Sequence, residues 1–194
     1  VRRLIRPVAV PAEVPDYTLL APLRHAGCYA DCFTLTLPFA VTKEEFIESF
    51  YTTTLFKSER LVLFLFAGKK STDKDAQNLA QGTGNSFAVW RVDQRTADEL
   101  LLSEPIGGTS SWFMTRLENV ASDTVTRLFF GSAIRPKRAP TAGETPQFSS
   151  VFTGLRPLHN LYSRKLLEAA AVSLLRDRQD TTPSVTVSRD DLLQ

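Results

Sequence analysis

Apolar and polar positions repeat along this chain with two periods, and the change from one to the other divides it. From Tyr29 to Pro38, Phe33, Leu35 and Leu37 alternate with Cys32, Thr34 and Thr36, the period-2 signature of a strand that Pro38 ends. Thr42-Lys-Glu-Glu45 reads as a capping box opening a helix near Lys43, with Phe46, Ile47 and Phe50 on one face and a break at Thr52–Thr54. Residues 56–67 are apolar enough for a buried helix or strand; their polar start at Lys57, Glu59 and Arg60 favours helix, stopped at Gly68. A second short helix is expected over 71–80, capped by Ser71 or Thr72 and broken at Gly82-Thr-Gly84.

From Ser86 the period returns to 2. Strands are expected over 86–92, 99–103, 109–118 and 124–134, with short turns between them that imply an antiparallel meander. Ser110, Trp112, Met114 and Arg116 share one face of their strand; Val125, Arg127, Phe129, Gly131 and Ala133 share one face of the next. A Pro/Gly/Thr loop over 135–147 follows. The chain then runs from Gly154 to Arg178 as one long helix, with Leu158, Tyr162, Leu166, Ala169, Ala170 and Leu174 on one side and Asn160, Arg164 and Glu168 on the other. Its apolar arc spans about half the circumference, wider than a surface helix needs. Such a helix wants a concave partner, and the meander supplies one: an α+β layout in which a curved antiparallel sheet covers a terminal helix. Residues 1–29, carrying Pro7, Pro11, Pro15 and Pro22, are expected to form an extended arm, 30–178 the domain, and 179–194 a polar tail.

Composition narrows the function classes. The 194 residues are 43% hydrophobic and 23% charged with a formal net charge of +2, so the chain has no strong pull towards nucleic acid. The basic clusters Arg2/Arg3/Arg6 and Arg135/Lys137/Arg138 read as solvated chain. The longest apolar run, Leu61–Ala67, is far short of the ~20 residues of a bilayer span. Two cysteines point to a reducing, cytoplasmic setting rather than a disulfide scaffold. The chain begins at Val1 rather than Met, which leaves a longer or processed N-terminus open.

No stretch carries a specific catalytic signature. His25, Cys28 and Cys32 fall short of the four ligands that zinc needs, and His159 is the one further histidine, so no metal is expected. A cysteine nucleophile served by His25 or His159 is a minor reading. Gly68-Lys-Lys-Ser-Thr72 ends like a phosphate loop, but Leu63 stands where its first glycine belongs. The informative set is aromatic: Trp90, Trp112, Met114, Phe129 and Tyr162 are candidate walls of an apolar pocket, and Arg127 is its candidate polar clamp. Asp31 and Glu99 are available partners for a buried arginine, and with His159 they are the candidates for acid–base work.

Tyr51-Thr-Thr-Thr-Leu-Phe-Lys-Ser-Glu-Arg60, Phe87-Ala-Val-Trp-Arg-Val92, Asp98-Glu-Leu-Leu-Leu102, Ser111-Trp112, Thr126-Arg-Leu-Phe-Phe-Gly-Ser132 and Leu161-Tyr-Ser-Arg-Lys-Leu-Leu167 together resemble an uncharacterised bacterial family of the helix-grip (START/Bet v 1-like, SRPBCC) superfamily. The resemblance covers about Ala30 to Leu175, and Ser110 stands where that pattern carries arginine. It implies an apolar cavity between sheet and helix and carries no assigned chemistry; the aromatic set and the wide apolar arc of the helix add the expectation of a small apolar or amphipathic ligand there, without a cofactor. A cyclase- or hydratase-like enzyme using Asp31, Glu99, Arg127 or His159 is the alternative, and a structural or interaction protein, a homodimer for example, is the third.

Overall fold

The computed structural model describes residues 6–57, 71–104, 108–138, 140–141 and 144–181. Seven strands form one antiparallel sheet: β1 (Val10–Pro11), β2 (Tyr29–Leu37), β3 (Ser86–Phe87), β4 (Trp90–Arg95), β5 (Glu99–Glu104), β6 (Thr109–Val120) and β7 (Asp123–Ile134). Their order is β1-β2-β7-β6-β5-β4-β3, so the first long strand lies against the last and the rest is a meander. Among the described residues the helices are α1 (Ala21–His25), α2 (Lys43–Thr52), α3 (Asp73–Gln81) and α4 (Ser150–Thr181). α2 packs on α3 and on α4, and α4 lies against β2 and β7. This is the helix-grip layout, α+β with an open antiparallel sheet packed against a long C-terminal helix.

Local chemistry sets the ends of these elements. The Thr42 hydroxyl accepts from Glu45 N at 3.1 Å while the Glu45 carboxylate accepts from Thr42 N at 2.8 Å, the expected capping box. Thr72 and Asp75 repeat it on α3, and Gly82 at φ +78° ends that helix in the left-handed region. Arg95 then donates to Leu79 O at 2.8 Å, tying the end of α3 to β4. α4 starts four residues earlier than the periodicity indicates, because the Ser149 hydroxyl accepts from Phe152 N and caps it. The strand expected over 86–92 is instead a hairpin: Ala88 takes φ +52° and turns the chain between Phe87 and Trp90. The helix expected over 56–67 lies, beyond Lys57, outside the described residues, as do Arg2, Arg3, Gly68, Lys69, Lys70 and the tail from 182.

Both faces of the sheet are covered. Phe33, Phe130, Phe113 and Leu100 sit opposite one another on neighbouring strands and meet α2 and α4. The next row, Cys32, Gly131, Trp112 and Leu101, points to the other face, under Val14, Leu20 and Ala21. The proline-rich segment, expected as an extended arm laid on the body or left loose, packs on the sheet as a layer of the core and contains a helical turn. Pro22 occupies the first turn of α1, where its missing N–H costs nothing. Leu158, expected on the buried side of α4, is exposed together with Leu155 and Leu161; burial begins at Tyr162 and Ser163 and continues through Leu166, Leu167, Ala170, Ala171 and Leu174.

Gly131 marks the tightest point between the layers. A Cβ there would lie 2.6 Å from Asp31 O, 2.8 Å from Leu20 Cδ2 and 3.0 Å from Trp112 Cε3. Gly131→Ala should thus part β2 from β7 or lift the arm, at about 1–3 kcal/mol or more. A urea midpoint equal to that of the unaltered protein would show that the arm does not press on the sheet there.

Candidate functional site

A cavity of about 240 Å³ lies between the sheet and α4. Its apolar wall comes from Phe50, Tyr51, Phe56, Trp90, Phe130 and Tyr162. Its hydroxyls follow from the strand register: Ser132 and Ser111 are directly opposite on β7 and β6 and line the cavity, while Asp31, opposite Ser132 on β2, lines the neighbouring groove. His159 reaches this row from α4, with Thr109 beside it.

Four polar contacts link the three groups. Ser132 N and Ser132 Oγ both donate to Asp31 Oδ1, at 3.0 and 2.9 Å. Ser132 Oγ is 2.8 Å from His159 Nε2, and Asp31 Oδ2 is 3.1 Å from the same nitrogen. Oδ2 is fully buried and makes no well-aligned hydrogen bond. The Phe152 ring meets the imidazole edge-on at 6.2 Å and holds its plane. Serine and aspartate share one imidazole nitrogen here. An acyl-transfer relay needs the aspartate on the far nitrogen, so this arrangement does not activate Ser132 as a nucleophile.

The residues singled out in the sequence divide between two faces. Trp90 and Tyr162 line the cavity. Trp112, Met114 and Phe129 are buried on the opposite face beneath the arm, so the five do not form one pocket. The reason is the arm: it makes both faces apolar, and alternation alone does not say which receives the helix. Arg127 pairs with Glu118 at 3.1 Å with 44% of its side chain exposed, an external ion pair and not a clamp within the cavity. Glu99 also belongs to the arm face, where it accepts from Trp112 Nε1 at 2.6 Å and Leu19 N at 2.8 Å. Of the four polar candidates, His159 lines the cavity and Asp31 touches it from the neighbouring groove, which Asp31 lines with Pro157 and Asn160. Ser132 and Ser111 were not singled out in the sequence; their parity with Phe130 and Phe113 was the signal available.

His25 pairs with Asp16 at the surface, 3.2 Å away, and is remote in role from the cysteines. Cys28 and Cys32 are free thiols. Burial raises Cys28 above its ordinary range, and burial with the Asp31 charge pushes Cys32 from 9.0 up to about 12. A thiol so held is a poor nucleophile at neutral pH. The raised value also means that the folded state keeps this proton when the unfolded chain releases it. The Cys32 contribution to stability is therefore complete below pH 9 and is lost as pH rises towards about 12. Over that window it should add a fall of ~1.4 kcal/mol per pH unit. Urea unfolding at stepped pH should show this extra slope in the unaltered protein and its absence in Cys32→Val; parallel slopes would contradict it.

A larger groove of about 540 Å³ lies on the outer side of α4, among Arg6, Thr52, Thr53, Thr54, Lys165 and Arg176. Glu168 in its lining is already engaged by Lys165 at 2.6 Å and Ala9 N at 3.3 Å, which makes this a joint between arm and helix. No family model matches the chain, and neither a curated protein nor a solved structure matches it.

Proposed function

We propose that this chain is a helix-grip protein of the START/Bet v 1-like kind, within the bacterial family it resembles, and that it binds a small amphipathic ligand between sheet and helix. One observation carries the reading: the cavity is lined by aromatic rings together with serine and threonine hydroxyls and an imidazole. Apolar pockets with a few convergent polar groups are the usual form of small-ligand sites. The size of about 240 Å³ suits a compact ligand, since a cavity of about 150 Å³ accommodates benzene.

Native mass spectrometry of the protein isolated from its own cells tests this. The expected spectrum shows a non-covalent small-molecule adduct on the unaltered protein and none on Ser111→Phe, whose ring would fill the cavity. Bare protein in both samples, or the same adduct on both, would remove the reading.

The second reading is an enzyme of the cyclase or hydratase kind in the same cavity. It is supported by the contact of Asp31 with His159, a carboxylate behind an imidazole that lines the cavity. An interaction role rests on Leu155, Leu158 and Leu161, which are exposed along the first turns of α4. Light scattering that returns a monomer across a wide concentration range would remove the homodimer.

A further inference from the structure

The polar lining of the cavity has a direction. Asp31 Oδ1 already receives the Ser132 amide and hydroxyl hydrogens, at 3.0 and 2.9 Å. With its own hydrogen committed to Asp31, Ser132 Oγ can only accept from His159 Nε2, 2.8 Å away. The buried Asp31 Oδ2, 3.1 Å from the same nitrogen, also demands a hydrogen there, because two facing lone pairs would repel. In the neutral imidazole, Nε2 therefore carries the hydrogen. Nδ1 has no hydrogen-bond partner among the described residues, and His159 keeps 30% of its side chain exposed.

We infer that Asp31 and Ser132 fix the tautomer of His159 so that Nδ1 is presented to the cavity as a hydrogen-bond acceptor, and that the site selects a small ring-bearing ligand with an uncharged hydroxyl. This rests on the cavity being a ligand site. The aromatic wall of Phe50, Tyr51, Phe56, Trp90, Phe130 and Tyr162 favours a ring. A hydroxyl donates to Nδ1 and can accept in turn from Ser111 or Thr109. A carboxylate is disfavoured: among the described residues no lysine or arginine lines the cavity, and the buried Asp31 charge lies behind the imidazole. A ketone of the same size offers acceptors alone and meets an acceptor.

Calorimetry at pH 8 with 4-ethylphenol, acetophenone, ethylbenzene and 4-ethylbenzoate tests the assignment. The phenol should bind at least about tenfold tighter than each of the others, the factor that one net hydrogen bond of about 1.4 kcal/mol supplies. Asp31→Asn turns an N–H towards Nε2, so the imidazole hydrogen moves to Nδ1 and the order of phenol and ketone should reverse. His159→Gln should reduce the ratio of phenol to ethylbenzene affinity by about tenfold, the factor one net hydrogen bond supplies. Equal affinities for phenol and ketone, a preference for the benzoate, or an order unchanged in Asp31→Asn would overturn the assignment and leave the cavity reading standing. Failure of all four compounds to bind, ethylbenzene included, would remove both.

Discussion

Truncating Phe50 to alanine lowers the free energy of unfolding by about 3–5 kcal/mol, the range for a large aromatic removed from a core that cannot fully collapse. The position warrants the upper part of that range. Phe50 is 1% exposed and meets five rings: Phe46, Tyr51, Phe56, Phe113 and Phe130, with centroids 4.6–6.3 Å away. It is carried on α2, while Phe113 and Phe130 come from β6 and β7, so the loss falls on the joint between helical layer and sheet. Since a domain of this size has a net stability of only about 5–15 kcal/mol, the variant should be close to unfolding at physiological temperature. Urea unfolding measures this directly. A loss below about 1 kcal/mol would mean that the ring cluster is not the centre of the core.

The second large effect belongs to the other face. Glu99→Ala should cost about 2–6 kcal/mol, because it strands two buried donors at about 1–3 kcal/mol each. Glu99 is 6% exposed and its Oε2 accepts both the Trp112 indole hydrogen and the Leu19 amide. Leu19 lies in the arm and Trp112 in β6, so one carboxylate oxygen joins the arm to the sheet. The loss should be accompanied by faster amide exchange and easier proteolysis over residues 12–28, while α2 and α4 remain protected. Protease resistance of that segment equal to the unaltered protein would contradict the anchoring role of Glu99.

The elements of this fold were legible where chemistry is local. The Thr42 box, the Thr72 cap, the Gly82 stop and the alternation of β2, β5, β6 and β7 each follow from a few adjacent residues. The packing of the sheet against the terminal helix follows from the width of the apolar arc on α4. Which sheet face receives that helix did not follow, because Trp112, Met114 and Phe129 alternate as regularly as Phe113, Leu128 and Phe130. Only the arm separates the two sets, and its prolines signal extended chain without saying that Val14, Leu20 and Ala21 are buried beneath it.

The candidate site was half legible. Trp90, Tyr162, His159 and Asp31 were visible as residue types, but their convergence depends on register. Asp31, Ser132 and Ser111 meet because β2 and β6 both pair with β7, β6 through a tight hairpin but β2 across the 101 residues that separate Asp31 from Ser132. Serine in an apolar strand resembles a tolerated small residue until that pairing is known. Arg127 stood out as a lone charge among Leu128 and Phe129, yet it lies where β7 runs out of the covered area, and Glu118 on the paired strand neutralises it.

The two-faced sheet with one cavity on its helix side is tested most directly by ¹⁹F NMR of 5-fluorotryptophan-labelled protein titrated with 4-ethylphenol. The two tryptophans report from opposite faces, Trp90 at the cavity and Trp112 under the arm. The Trp90 resonance, assigned by its absence from Trp90→Phe, should move through the titration while that of Trp112 stays still. Movement of Trp112 with Trp90 unmoved, or two still lines at saturating ligand, would contradict the placement of the cavity.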